Sequence, residues 1–212
     1  MLADDPIAYW RLGEQRRAAS GTNASGDGHE AHYQSGVRLG APGAVPGDTA
    51  AGFYGEQGKA VVDDAEGLRL NGSFSIEFWA RQARRASTAW PGVLNMNGSW
   101  TADGYLIWYS ADGRLILKRN NTEWSTPPGA MSTDQLRHFV VTYDGSSVSW
   151  YVDGAPVATS PASIPPNRGS APLELGAGDR GQSGTLLLDE VALYDSALSA
   201  ASVGAHREAA DR

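Results

Sequence analysis

Apolar positions recur at every second residue through much of the second half of the chain. GSFSIEFWARQ (72–82) sets Phe74, Ile76 and Phe78 against Ser73, Ser75 and Glu77, the period of a strand with one buried face. YLIWYS (105–110) and RLILKRN (114–120) flank Asp112-Gly113, and that pair between two such runs predicts a hairpin. HFVVTYDG (138–145) and VSWYVDG (148–154) predict a second hairpin around Ser146-Ser147, while LELGAG (173–178) and TLLLDEVALYD (185–195) add further strands. The runs return roughly every 10–15 residues with no long helical period between them, which is the rhythm of an antiparallel sandwich. Only SALSAASVGAHREAA (196–210) reads as a helix, with Ser196 or Ser199 as its cap. No internal repeat or linker interrupts the pattern, so residues 1–212 read as one all-β domain.

Composition narrows the function classes. There are 17 basic and 24 acidic residues, a net charge of −7. No basic patch outweighs this background, which argues against nucleic-acid or anionic-membrane partners and mildly favours cations. There is no cysteine, which excludes disulfides, thiolate chemistry and cysteine-type zinc sites. No apolar run reaches the roughly 18 residues of a membrane span. The opening MLADDPIAYW has no leader pattern. Two readings follow: a chain without a cleaved export signal, or a module of a larger protein.

The order of the pieces resembles a known family. PIAYWRLGE (6–14) is similar to the first strand of laminin-G-like, concanavalin A-like jelly rolls, and residues 25–55 to their first long loop and the strand after it. SFSIEFWARQ (73–82), HFVVTYDGSSVSWYVDG (138–154) and LLLDEVALYDSALSAASVGAH (186–206) resemble their middle and closing signatures. The resemblance implies a two-sheet antiparallel jelly-roll sandwich with a short C-terminal helix and a non-catalytic binding role. Such domains occur beside bacterial glycan-degrading enzymes, in cell-surface adhesins and in phage tail proteins. The expected place is therefore outside the cell, on a cell or virion surface, with a glycan or polysaccharide as partner and other domains of a longer chain nearby. The alternative class is an adhesion or assembly module that contacts protein.

Two groups of residues carry candidate chemistry. TNASGDGHEAHY (22–33) opens like an EF-hand calcium loop, but the twelfth position is Gln34 and the flanks are not helical, so the EF-hand reading fails. A glycine-rich loop still exposes carbonyls, to which Asn23, Asp27 and His29 add side chains. In the resembled family an acidic residue of this loop and the Asp of the Leu-Asp-Glu signature, here Asp189, often share one structural calcium. Asn23 stands where an aspartate is common, and Asp27 or Asp48 is left to supply the missing charge. Asp189 in an apolar strand is itself costly unless paired or metal-bound.

The second group is aromatic. Of seven tryptophans, Trp10, Trp79 and Trp150 lie in strand patterns and are expected in the core. Trp90, Trp100 and Trp124 lie in turn-rich segments, where a large aromatic needs a reason. Sugar rings stack on such faces, and Asn95, Asn97, Asp103, Arg119, Asn120 and Asn121 stand close in sequence to bind hydroxyls. Tyr105 and Trp108 are an odd number of residues apart and fall on opposite faces, so at most one lines a ligand face. Glycosidases of this shape carry carboxylates as Glu-x-Asp-x-x-Glu, and a retaining pair sits about 5–5.5 Å apart. No such triplet occurs here, and in regular strand geometry Asp189 and Glu190 point to opposite faces. The expectation is recognition without turnover.

Overall fold

The computed structural model describes residues 1–26, 28–63, 66–84, 90–97, 104–178 and 185–211. Within them the first half forms β1 (Ala8–Trp10), β2 (Ser20–Gly21), β3 (Ala31–Tyr33), β4 (Val37–Pro42), β5 (Thr49–Phe53), β6 (Ala60–Val62), β7 (Phe74–Gln82) and β8 (Gly92–Asn95). The second half forms β9 (Tyr105–Tyr109), β10 (Leu115–Arg119), β11 (Thr122–Ser125), β12 (Arg137–Tyr143), β13 (Ser147–Val152), β14 (Ala155–Pro161), β15 (Leu173–Leu175), β16 (Leu186–Tyr194) and the helix α1 (Ala200–Ala209).

The strands make two antiparallel sheets. The first runs β14-β13-β12-β7-β16-β5-β4, with β1 paired to β16, and the second runs β11-β10-β9-β8-β15-β6-β3-β2. This is the two-sheet jelly-roll sandwich that the strand rhythm and the resemblance imply. Phe74, Ile76 and Phe78 of β7, Phe139 and Val141 of β12, and Tyr105, Ile107, Leu115 and Leu117 of the facing sheet fill the space between. Trp10 and Trp150 are buried there as expected.

β7 and β16 are buried along nearly their whole length, on both faces, because α1 covers the outer side of their sheet. Ser199 caps α1 by accepting from the Ser202 backbone N–H at 3.1 Å. Val203 of α1 and Leu198 before it pack on Tyr9, Val140, Ala192 and Tyr194. Trp79 also faces this side, with the Arg207 guanidinium 5.1 Å from its ring centre.

Turn chemistry sets the registers. Gly113 sits at φ 79 in the Asp-Gly turn between β9 and β10. Asn120 and Asn121, at φ 47 and 61, join β10 to β11 as a two-residue hairpin loop, in which both central residues need positive φ. The edge strand β14 is almost fully exposed and carries Pro156 and Pro161. Its sequence, APVATSP, lacks the alternation that marks the other strands.

Candidate functional site

The structure disperses most of the expected aromatic platform. Trp124 is in strand β11, not a loop, and is 8% exposed in the main core. Its backbone carbonyl accepts the Trp150 indole N–H at 3.0 Å. Tyr105 is fully buried, with its hydroxyl donating to the Leu68 carbonyl at 3.1 Å. Trp108 faces the other way, into a small cluster with Leu106 and Ile116. Arg119 is 1% exposed. Its guanidinium donates to the Leu70 carbonyl at 3.2 Å and lies 5.8 Å from the Phe74 ring centre. Asn95 is a loop staple, accepting from Asn97 N–H and donating to the Gly178 carbonyl. Asn120 serves the β10–β11 turn. Of the described set, Trp90, at 41%, and Asn121 are the exposed members. Trp100 and Asp103 lie outside the described residues.

The loop expected to hold calcium has its polar groups engaged within the protein. The side-chain oxygen of Asn23 accepts from Tyr9 N–H at 2.9 Å, Ser25 N–H at 3.2 Å and the Ser25 hydroxyl at 2.8 Å. Those bonds pin the loop against β1 and engage the amide oxygen with three donors of the protein itself. The His29 carbonyl accepts the Trp10 indole N–H at 2.7 Å. Asp27 lies outside the described residues. Among the described residues, no group of three or more His, Asp or Glu is placed to hold a metal.

Asp189 does fit one. β16 bulges between Asp189 and Ala192, with Glu190 at φ 50. Leu188 and Val191 both enter the main core. The bulge thus places two residues between successive inward positions and keeps both carboxylates out of the sandwich interior. The opposite-face expectation for Asp189 and Glu190 is overturned by this extra residue. Asp189 is fully buried; Oδ2 accepts from Ala44 N–H at 2.7 Å, while Oδ1 has no partner. Burial, reinforced by nearby Asp48, pushes its carboxyl up to about 7. A buried carboxylate oxygen without a donor is a place for a cation. Gly43 permits the approach, since a Cβ there would stand 2.8 Å from Asp189 Oδ2.

Around this point lie Asp48, one of the expected sources of the missing charge, and Arg11 and Tyr9, which the sequence did not single out. Asp48 accepts from Thr49 N–H at 2.8 Å and pairs with Arg11. Arg11 also reaches Glu190, with Nε 3.4 Å from Oε1, and the Tyr9 hydroxyl donates to Glu190 Oε2. Glu190 is 3% exposed, and burial pushes its carboxyl up to about 7. The only signal in the sequence is the pair of adjacent carboxylates in an apolar strand. An open cleft of about 440 Å³ runs between residues 11–24 and 43–48, lined by Arg11, Glu14, Thr22, Pro46 and Asp48.

The family model described as "Concanavalin A-like lectin/glucanases superfamily" matches residues 54–204. The chain belongs to this superfamily. Solved structures share the fold. The binding domain of Paraclostridial Mosquitocidal Protein 1 is 16% identical with a TM-score of 0.76, over 98% of this chain and 52% of that one. The binding domain of botulinum neurotoxin DC, in complex with rat synaptotagmin II, is 17% identical with a TM-score of 0.72, over 98% and 52%. A structure from work describing the entry of botulinum neurotoxin type C into cells as dependent on two ganglioside molecules is 18% identical with a TM-score of 0.68, over 98% and 51%. This superfamily member thus spans about half the length of these neighbours. No curated protein matches it.

Proposed function

We propose that the chain is a non-catalytic carbohydrate-recognition module, displayed outside the cell on a cell or virion surface. The observation that carries this reading is the cleft between residues 11–24 and 43–48, in a superfamily whose description names lectins. Arg11 supplies donors, Asp48 and Glu14 supply acceptors, and Thr22 both, a mixture suited to hydroxyl groups. Glu14 is held in place by the Tyr33 hydroxyl at 2.6 Å and Thr22 N–H at 3.0 Å. The ganglioside dependence of a structural neighbour supports a glycan partner.

Binding without turnover fits the way the sheet carboxylates are engaged. Glu77 lies against His138, His206 and Tyr194, and Glu174 pairs with Lys59. Calcium belongs to the same proposal. Asp189 and Asp48 would hold it together with carbonyls of residues 43–48, and the ion would supply a fixed positive centre that ties this loop to β16.

The test is a glycan and polysaccharide binding screen on the purified chain, with calcium and again with EDTA. The wild type is expected to bind at least one glycan. Arg11→Ala combined with Glu14→Ala should weaken that binding tenfold or more. No glycan bound in either condition would sink the reading and leave protein contact, of the kind neurotoxin DC makes with synaptotagmin II, in its place.

A further inference from the structure

A second cavity lies across Arg11 and Val45 from the cleft, with a volume of about 280 Å³. It is bounded by the first turn of the chain, the outer face of the β1–β16–β7 sheet and the end of α1. Its rim is apolar, with Leu2 and Ala209 exposed there. Its floor is polar and buried, built from Glu190, Tyr9 and Trp79 at 3%, 7% and 6% exposure, with Arg11 at one side.

We infer that this cavity is a pocket for a single neutral sugar ring, anchored by the Glu190 carboxylate. The inference rests on the carbohydrate reading above and adds where one ring is recognised.

Four observations carry it. Glu190 is held at φ 50, a strained conformation for a non-glycine residue and one concentrated at functional sites. That conformation belongs to the bulge that re-aims its carboxylate towards the cavity side of the sheet. Next, the carboxylate is only partly used. It accepts from the Tyr9 hydroxyl and, at 3.4 Å, from Arg11 Nε, out of about four acceptor positions. Third, the charged side chains at the cavity are paired with one another, and the Met1 ammonium also lines it and acts on Glu190. Arg11 is paired with Asp48 and Glu190, and His206 sits between Glu77 and Asp4. Hydroxyl groups can donate to Glu190 and accept from Arg11. Finally, the apolar rim of Leu2 and Ala209 suits the C–H face of a pyranose, and the volume lies just below the roughly 300–1,000 Å³ of drug-sized ligand sites, which fits one ring and not a chain.

Ligand-observed NMR with glucose, galactose, mannose and N-acetylglucosamine tests the inference on the full chain. At least one of the four is expected to bind the wild type. Glu190→Gln, which keeps shape but loses charge and acceptor strength, should weaken it tenfold or more. Ala209→Phe, an exposed substitution that fills the mouth without touching the core, should abolish it. Unchanged binding by both variants would overturn the pocket while leaving carbohydrate recognition intact. The pocket is equally overturned if longer glycans bind the wild type and none of the four sugars does. If no sugar and no glycan binds, both readings fall together.

Discussion

Trp124 stands opposite Leu117 in the β10–β11 hairpin, and both enter the core. Replacing Trp124 with Ala should cost about 3–5 kcal/mol, the range for large buried aromatics. Chemical denaturation should register that loss, and glycan affinity measured well below the transition should not change. The sequence held this placement. Asn120-Asn121 is a two-residue turn signal, so Arg119 pairs with Thr122, Lys118 with Glu123 and Leu117 with Trp124. Leu117 lies on the inward parity of β10, and its partner must follow it inside. The abundance of Asn, Ser and Pro in NNTEWSTPPG disguises a short strand as a loop. Arg119 misleads for another reason. A buried guanidinium serving backbone carbonyls leaves no mark in local sequence, because its acceptors at Leu70 and Pro165 are remote along the chain. Asp189 is legible, since a carboxylate in an apolar run needs a partner. Asn23 is not, because its amide is consumed by Tyr9, a neighbour made only by folding.

Strands with period-two alternation are readable, and so is α1. β14 is not, because an exposed edge strand needs no buried face. The double-sided burial of β7 does not show either, since Glu77 and Ser75 occupy its second face and look solvated in sequence. Their cover is α1. His206 of that helix places Nδ1 3.0 Å from Glu77 Oε2 and Nε2 2.9 Å from Asp4 Oδ2. The doubly protonated ring is the form that donates to both. Burial pushes His206 down, but hydrogen bonds and charge from Glu77, with Asp4 behind them, outweigh it and raise its pKa above the ordinary value of 6.5. Its stabilisation is therefore complete below about pH 6.5 and lost as pH rises through the raised value. Glu77 has the opposite sign. Burial alone would raise it, yet bonds from His138 and His206 bring it down to about 2 from 4.5, so its contribution is lost as pH falls from about 4.5 towards 2. Tyr194 donates to the same carboxylate at 2.8 Å, and Arg207 of α1 lies over Trp79 beside it. Melting temperatures measured from pH 5 to 9 should decline for the wild type on the alkaline side of neutrality. His206→Gln should start lower and decline less steeply, keeping only the part of the slope that the raised Asp189 and Glu190 carboxyls contribute. Parallel curves would show that the ring acts only by packing.

At the scale of the molecule, the two sheets, their order and the helix over one outer face can be read from rhythm and resemblance, whereas the meeting of residues 11–24, 43–48 and 189–190 cannot. Segments distant along the chain form that corner, and only the bulge turns both carboxylates to it. The calcium site proposed there would be a whole-fold property, since the unfolded chain brings no such oxygens together. A hundredfold excess of calcium over its Kd should raise the melting temperature on the order of 5–10 °C, and Asp189→Asn should abolish the rise. Asn23→Ala should leave the calcium-dependent increment in place while lowering the baseline, because it unpins the loop from Tyr9.

The outermost strand has a bearing on how many copies can stand side by side. β14 ends the β12–β13–β14 edge with Pro156 and Pro161, and a proline has no N–H to offer a neighbour's backbone. Molecules crowded on one surface, or strung in tandem, are thereby discouraged from exchanging strands along that rim. Were the module displayed densely on the surface proposed for it, avidity would rise without inviting fibrils.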